Sequence, residues 1–194
     1  MPIQSLVKES SPNTYSGSFT PDLIFSKLWL ASKLNLLGLN KFKSIYILGS
    51  WFGNSAVFLN FSGIQANTVI NVDINKDWLI KSKKLHDKLD LNYDLQYMNK
   101  DANSLDYRQL KKPSLVINTS INDMKNNGWF NNIPKNTLVA LQGRNNVDSE
   151  AENNYNSIGD VVQAYPLTKV YFADEITLKD PETSYTRYMV IGSK

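Results

Sequence analysis

Seven short apolar runs, spaced along the chain at roughly even intervals, constrain the fold more than any other feature. They are SIYIL (44–48), TVINV (68–72), LQYM (95–98), SLVIN (114–118), TLVALQ (137–142), KVYFA (169–173) and RYMVIG (187–192). The first five are continuously apolar rather than alternating, which predicts strands buried on both faces of a parallel sheet. Only DEITLKDPETSYT separates the last two, and a stretch of that length without helical pattern suits a hairpin, not a parallel crossover. The expected class is therefore α/β: a three-layer sandwich on a mostly parallel seven-stranded sheet that ends in an antiparallel hairpin.

Helical segments fall between the runs. TPDLIFSKLWLASKLNLLGL offers Thr20 as N-cap and Pro21 at the first helical position, and Leu23, Ile24, Leu28, Ala31 and Leu34 mark a helix ending near Gly38. NKDWLIKSKKLHDKL reads as a second, capped by Asn75, with Trp78, Leu79, Ser82, Leu85 and Leu89 on one side and His86 on the polar side. NNYNSIGDVVQAY (153–165) reads as another. Residues 1–19 are rich in Ser, Asn, Gly and Pro and read as an arm. Two units are expected: residues 1–40 as an arm and helix covering the site, and residues 41–194 as the ligand-binding domain.

Composition excludes several chemistries. There is no cysteine and one histidine, so thiolate catalysis, disulfides and a Cys-based zinc site are ruled out and no metal is expected. The net charge of +3 comes from scattered lysines and makes nucleic acid a poor candidate partner. Lysine outnumbers arginine 18 to 3 and asparagine occurs 23 times, the usage that AT-rich codons produce. No apolar run approaches the roughly 20 residues of a membrane span. The opening MPIQSLVKESSPNTYSGS lacks the charged start and apolar middle of a secretory signal, so cytoplasmic residence is expected.

In an open parallel sheet the ligand sits beyond the C-terminal strand ends, where strand order reverses. The first run leads into YILGSWFGNSAVF, with Gly49 and Gly53 four residues apart and Ser50, Trp51 and Phe52 between them. A dinucleotide loop needs a second glycine where Trp51 stands, because the backbone must approach a pyrophosphate there. A cofactor without phosphate needs backbone room only beside its tail. Asp73 closes the second run, twenty residues after Gly53, where a carboxylate can accept from both hydroxyls of a ribose. The competing reading of Asp73 is a cap for the helix near Asn75.

Gly49, Gly53, Asp73 and Asp101, together with the run order, resemble the class I S-adenosylmethionine (SAM)-dependent methyltransferases over about residues 40 to 194. The resemblance implies a Rossmann-like domain with SAM as cofactor. It implies Gly49, Ser50, Trp51, Phe52 and Gly53 as the cofactor loop, and Asp73 and Ile74 at the ribose. Asp101 and Ala102 would lie at the adenine, and Asn118 and Thr119, at the end of the fourth strand, would complete the cofactor-binding set. Ile47 stands where many members carry an acid, and Trp51 replaces their middle glycine. Asp101 can alternatively cap SLDYRQL, while Trp78, Trp129 and Tyr93 read as core.

The segment NTSINDM (118–124), with GWF and IPKNTLVALQ after it, further resembles a group of small class I proteins from marine phages and bacteria. That group carries Cys-Glu-His before the methionine, where this chain has Ile121, Asn122 and Asp123. An Asn-Pro-Pro-Tyr-like segment for methylating DNA bases is absent. Ser120 and Arg144 are candidate substrate groups, Arg144 for a carboxylate or phosphate, and Asp123 is the candidate general base. The expected activity is methylation of a small molecule, since no large insertion forms a domain for a polymer, by a monomer or homodimer. Three alternatives stay open: other SAM chemistry, such as its cleavage or transfer of its aminocarboxypropyl arm; a catalytically silent SAM-binding module; and an NAD-type oxidoreductase.

Overall fold

Pro21, with its fixed φ and missing N–H, starts a helix from Pro21 to Leu36 (α1) in the computed structural model, which describes residues 16–145, 151–179 and 183–194. Thr20 precedes it in extended backbone, yet its side chain makes no capping bond. The buried face of α1 is not the apolar stripe the sequence predicts. Leu28 is exposed, and Asp22, Ser26 and Lys27 are buried beside Leu30, Ala31 and Leu34. The first fifteen residues of the expected arm lie outside the described residues.

The seven runs are strands: β1 (Lys41–Leu48), β2 (Gln65–Asp73), β3 (Asp94–Asn99), β4 (Ser114–Asn118), β5 (Leu138–Arg144), β6 (Lys169–Lys179) and β7 (Ser184–Ser193). They form one sheet in the order β3-β2-β1-β4-β5-β7-β6. The first five run parallel, and β7 lies antiparallel between β5 and β6, so the hairpin closes one side as expected. One strand departs from the expectation in burial: β3 stands at an edge of the sheet, and all of its residues are half-buried or exposed, as are most of those in β6 at the other edge.

The connections carry α2 (Asn54–Phe61), α3 (Lys76–His86), the short α4 (Gly128–Asn132) and α5 (Ile158–Ala164). Helix α5 starts later than the sequence suggests, at the residue where Ser157 and Asp160 form a reciprocal capping box. Between β3 and β4 there are only two 3-10 turns, Ala102–Ser104 and Tyr107–Gln109, in place of a helix. Asp101 and Asp106 each cap one of them, and the spacing of Ala102, Leu105 and Tyr107 puts all three in the core without a regular helix.

Both faces of the sheet are covered, giving the three layers. Leu30, Ala31 and Leu34 of α1 and Ala56 and Leu59 of α2 pack with Ile45, Ile47 and Ile117 on one face. Trp129, Phe130, Val161 and Tyr165 pack with Leu48, Val116 and Val139 on the other. Trp129, Phe130 and Tyr165 stack with ring centroids 5.2–5.8 Å apart, each pair contributing about 0.5–1.5 kcal/mol beyond its burial. Trp129 is core, as expected, and Tyr93 is half-buried with its hydroxyl donating to the Ile64 carbonyl. Among the described residues no helix is long and apolar enough to cross a membrane.

Candidate functional site

Strand order reverses between β1 and β4, so their C-terminal ends open a crevice that the adjoining loops line. After β1 the chain turns sharply. The Ser50 N–H donates to the Val72 carbonyl, and the Gly53 N–H closes a turn onto the Ser50 carbonyl. Gly49, Trp51 and Gly53 all take left-handed backbone, with φ of 59°, 49° and 74°. Gly49 and Gly53 do so freely, but a tryptophan there is strained, on the order of 1–3 kcal/mol. What holds Trp51 is Asp73: the Trp51 N–H donates to its Oδ2 at 2.8 Å.

Gly53 is also fixed by packing. A Cβ on it would lie 2.2 Å from Ser82 Oγ and 2.5 Å from His86 Cε1, so α3 fits against the loop only because nothing is there. His86, expected on the polar side, is buried beneath the loop instead. Its Nε2–H donates to the Gly53 carbonyl at 2.9 Å, which leaves Nδ1 to accept the Tyr97 hydroxyl at 2.7 Å. Burial pushes its pKa below the ordinary value, so the neutral ring that this tautomer requires is the favoured one.

The helix after Asp73 has its own cap. Asn75 accepts from the Asp77 and Trp78 N–H groups, so Asp73 is not the N-cap. The Asp73 carboxylate accepts from Trp51 on one oxygen and from Asn75 on the other at 2.8 Å each, and it keeps acceptor capacity on both. Burial raises its pKa, opposed by the N–H groups of Asn75, Trp51 and Ile74. Asp101 behaves in part as the competing reading expected: Oδ1 accepts from the Asn103 N–H and caps the first 3-10 turn.

These loops enclose a cavity of about 620 Å³, within the usual range for small-molecule sites. It brings together Gly49, Ser50, Trp51, Asp73, Ile74, Asp101, Ala102, Thr119, Ser120, Asp123 and Arg144 among the residues singled out from sequence. Phe52, Gly53 and Asn118 do not line it. Phe52 packs beneath Trp51 with Trp78 and Leu85, and Asn118 is buried with Oδ1 accepting from the Ser120 N–H. Ser50 Oγ, which lines the cavity, is buried without a hydrogen-bond partner, a polar atom that a ligand in this crevice can engage. Asp123, at 43% side-chain exposure, faces Arg144 at 3.7 Å.

Several lining residues escape a reading of the sequence alone. Trp78, expected in the core, reaches the cavity and meets Trp51 edge-on at 6.2 Å. Lys27 of α1 and Arg187 of β7 enter from below. Lys27 Nζ donates to Thr119 Oγ1 at 2.7 Å, and Arg187 donates to the Thr119 carbonyl and to Ser26 Oγ. Burial and the nearby Arg187 charge hold the Lys27 ammonium well below the lysine range, against the attraction of Asp22. The spacing of Asp22 and Ser26, four apart on one face of α1 with Lys27 beside them, was the available signal. Asn122, one of the departures from the marine group, is a clamp: its amide donates to the Arg144 and Asn153 carbonyls and accepts from the Arg144 N–H. Part of the segment after β5, residues 146–150, lies outside the described residues. Among the described residues no cluster of three His, Cys, Asp or Glu is placed to hold a metal.

No family model matches the chain, and no curated protein matches it. Solved structures do. A SAM-dependent methyltransferase from Aquifex aeolicus superimposes with a TM-score of 0.60 at 10% identity, covering 98% of both chains. Magnesium protoporphyrin IX methyltransferase from Synechocystis PCC 6803, solved with bound S-adenosylhomocysteine (SAH), gives 0.61 at 11% identity over 88% of this chain and 83% of that one. TehB from Haemophilus influenzae gives 0.59 at 10% identity over 84% of this chain, which spans 61% of the length of TehB. At such identities the likeness is one of fold: a Rossmann-like α/β sandwich shared with SAM-dependent methyltransferases, its seventh strand inserted antiparallel beside the fifth.

Proposed function

We propose that the protein is a SAM-dependent methyltransferase acting on a small molecule. The observation that carries this reading is the bond from Trp51 N–H to Asp73, which joins a phosphate-unfriendly glycine loop to an acid with acceptor capacity to spare. Asp73 would take the ribose hydroxyls, with Ile74 beside it. Asp101 and Ala102 would flank the adenine, and the Gly49–Gly53 loop and the end of β4 would take the amino-acid tail. The orphan Ser50 Oγ suits that polar tail. A bulky Trp51 in place of a glycine disfavours a pyrophosphate and hence an NAD-type cofactor.

When bound, SAM supplies an activated methyl group on a good leaving group, so the protein's share is mainly alignment. Ser120, just past the end of β4, stands where the acceptor would sit, and Arg144 would hold an acidic group on it. Asp123 is the candidate base for an acceptor that must lose a proton. Residues 16–40 contribute Gly17, Leu23 and Lys27 to the cavity wall, which supports a covering role for the N-terminal segment. The test is mass spectrometry of ligand co-purified with the native protein, followed by transfer of labelled methyl from SAM to a panel of small nucleophiles. SAM or SAH in the extract supports the reading; NAD(H) there overturns it.

A further inference from the structure

We infer that the methyl acceptor is a small anion whose carboxylate or phosphate group is held at the cavity floor by Lys27 and Arg187. This rests on the methyltransferase reading above and adds the substrate class to it. Both side chains line the cavity, and they are only 6% and 5% exposed. Their hydrogen bonds go to neutral oxygens: Thr119 Oγ1 for Lys27, and the Thr119 carbonyl and Ser26 Oγ for Arg187. Among the described residues neither makes a salt bridge.

The acids nearby bond to neither cation. Asp22 gives Oδ2 to the Tyr185 hydroxyl at 2.7 Å while its buried Oδ1 has no partner, one negative charge against two positive ones, and Asp123 faces Arg144. Around Lys27 the repulsion from Arg187 outweighs the attraction of Asp22. Two cationic side chains are thus withdrawn from water without a carboxylate bonded to either, an arrangement that costs several kcal/mol unless a counter-charge arrives. The two converge on Thr119, directly before the candidate substrate residue Ser120, which puts the surplus charge on the β4 side of the cavity and not at the Asp73 end. SAM adds a positive sulfonium to this balance. An anionic acceptor is attracted by the floor and by the cofactor, whereas a neutral or cationic one offsets neither.

The cofactor's own carboxylate is the other source of the same chemistry, and the test separates the two. Wild-type protein loaded with SAH is titrated calorimetrically with benzoate and, separately, with inorganic phosphate. The inference expects saturable binding of at least one, weakened about tenfold or more by Lys27→Met and by Arg187→Gln, the loss of a charge-assisted hydrogen bond. SAH binding should be retained in both variants. Absence of binding by either anion overturns the inference, as does equal affinity in wild type and Lys27→Met. So does a loss of SAH affinity in the variants with 5′-methylthioadenosine, which has no carboxylate, unaffected: the cations then serve the cofactor. If wild type binds no SAH, the methyltransferase reading fails by itself, and the anion titration on the free protein still decides whether Lys27 and Arg187 form an anion site.

Discussion

Trp51 and Asp73 lie 22 positions apart in the chain, and the backbone N–H of the first donates to Oδ2 of the second at 2.8 Å. The bond ties the turn after β1 to the end of β2, so the loop and the acid form one unit. It also explains how a tryptophan tolerates a φ of 49°. A carboxylate here has two duties, holding the loop and offering its remaining lone pairs to a ligand.

Asp73→Ala removes both. We expect SAM and SAH affinity to fall about ten- to a hundredfold, equivalent to roughly 1.5–3 kcal/mol for hydrogen bonds to a charged group. Calorimetric titration of variant and wild type measures this, and an unchanged dissociation constant would remove Asp73 from the site.

Gly53 and Gly63 make a controlled pair. Both have left-handed backbone, at φ of 74° and 77°, but a Cβ on Gly63 meets nothing within 4 Å while one on Gly53 collides with Ser82 and His86. Gly63→Ala should cost about 1–2 kcal/mol from conformation alone. Gly53→Ala should cost about 1–3 kcal/mol more because α3 must shift. Urea unfolding midpoints at fixed slope give the difference; equal losses would mean that α3 does not press on the loop.

His86 couples loop stability to pH. Its folded pKa is depressed by burial while the unfolded value is the ordinary one near 6.5. Above that value both states are neutral and the contribution is complete. As pH falls below it, the unfolded state takes up a proton that the folded state resists, so stability declines toward the folded pKa by up to about 1.4 kcal/mol per pH unit. Melting curves between pH 7.5 and about 5.5 should show this slope, and His86→Gln should flatten it. Asp73 contributes with the opposite sign: burial raises its folded pKa, so its destabilising contribution is relieved as pH falls toward that pKa.

Lys27→Met should leave the free protein as stable as wild type or more so, because it replaces a desolvated cation by an apolar chain of similar length. Thermal melts at neutral pH test this. A large destabilisation would mean that the bond to Thr119 Oγ1 is structural.

The sheet was legible in the sequence because period and run length depend on local residue type, and all seven apolar runs became strands. Less local features were not. The buried face of α1 follows what the helix meets, and there Gln142 and Thr119 receive Ser26 and Lys27, so an apolar stripe misidentified the inward side. His86 looks like a surface histidine until Gly53 is seen to leave a gap that its ring and the Ser82 hydroxyl fill. The residues lining the cavity from β2, β3 and β4 were readable from their places at strand ends. Arg187 and Lys27 were not, since they reach the cavity through a hairpin and a helix whose packing no spacing rule specifies.

The central claim, that this crevice holds SAM, is tested most directly by calorimetric titration of the purified full-length chain with SAH and, in parallel, with NADH. The account predicts saturable SAH binding of micromolar-scale affinity that Asp73→Ala weakens, with no NADH binding. Heat with NADH and none with SAH or SAM would contradict it.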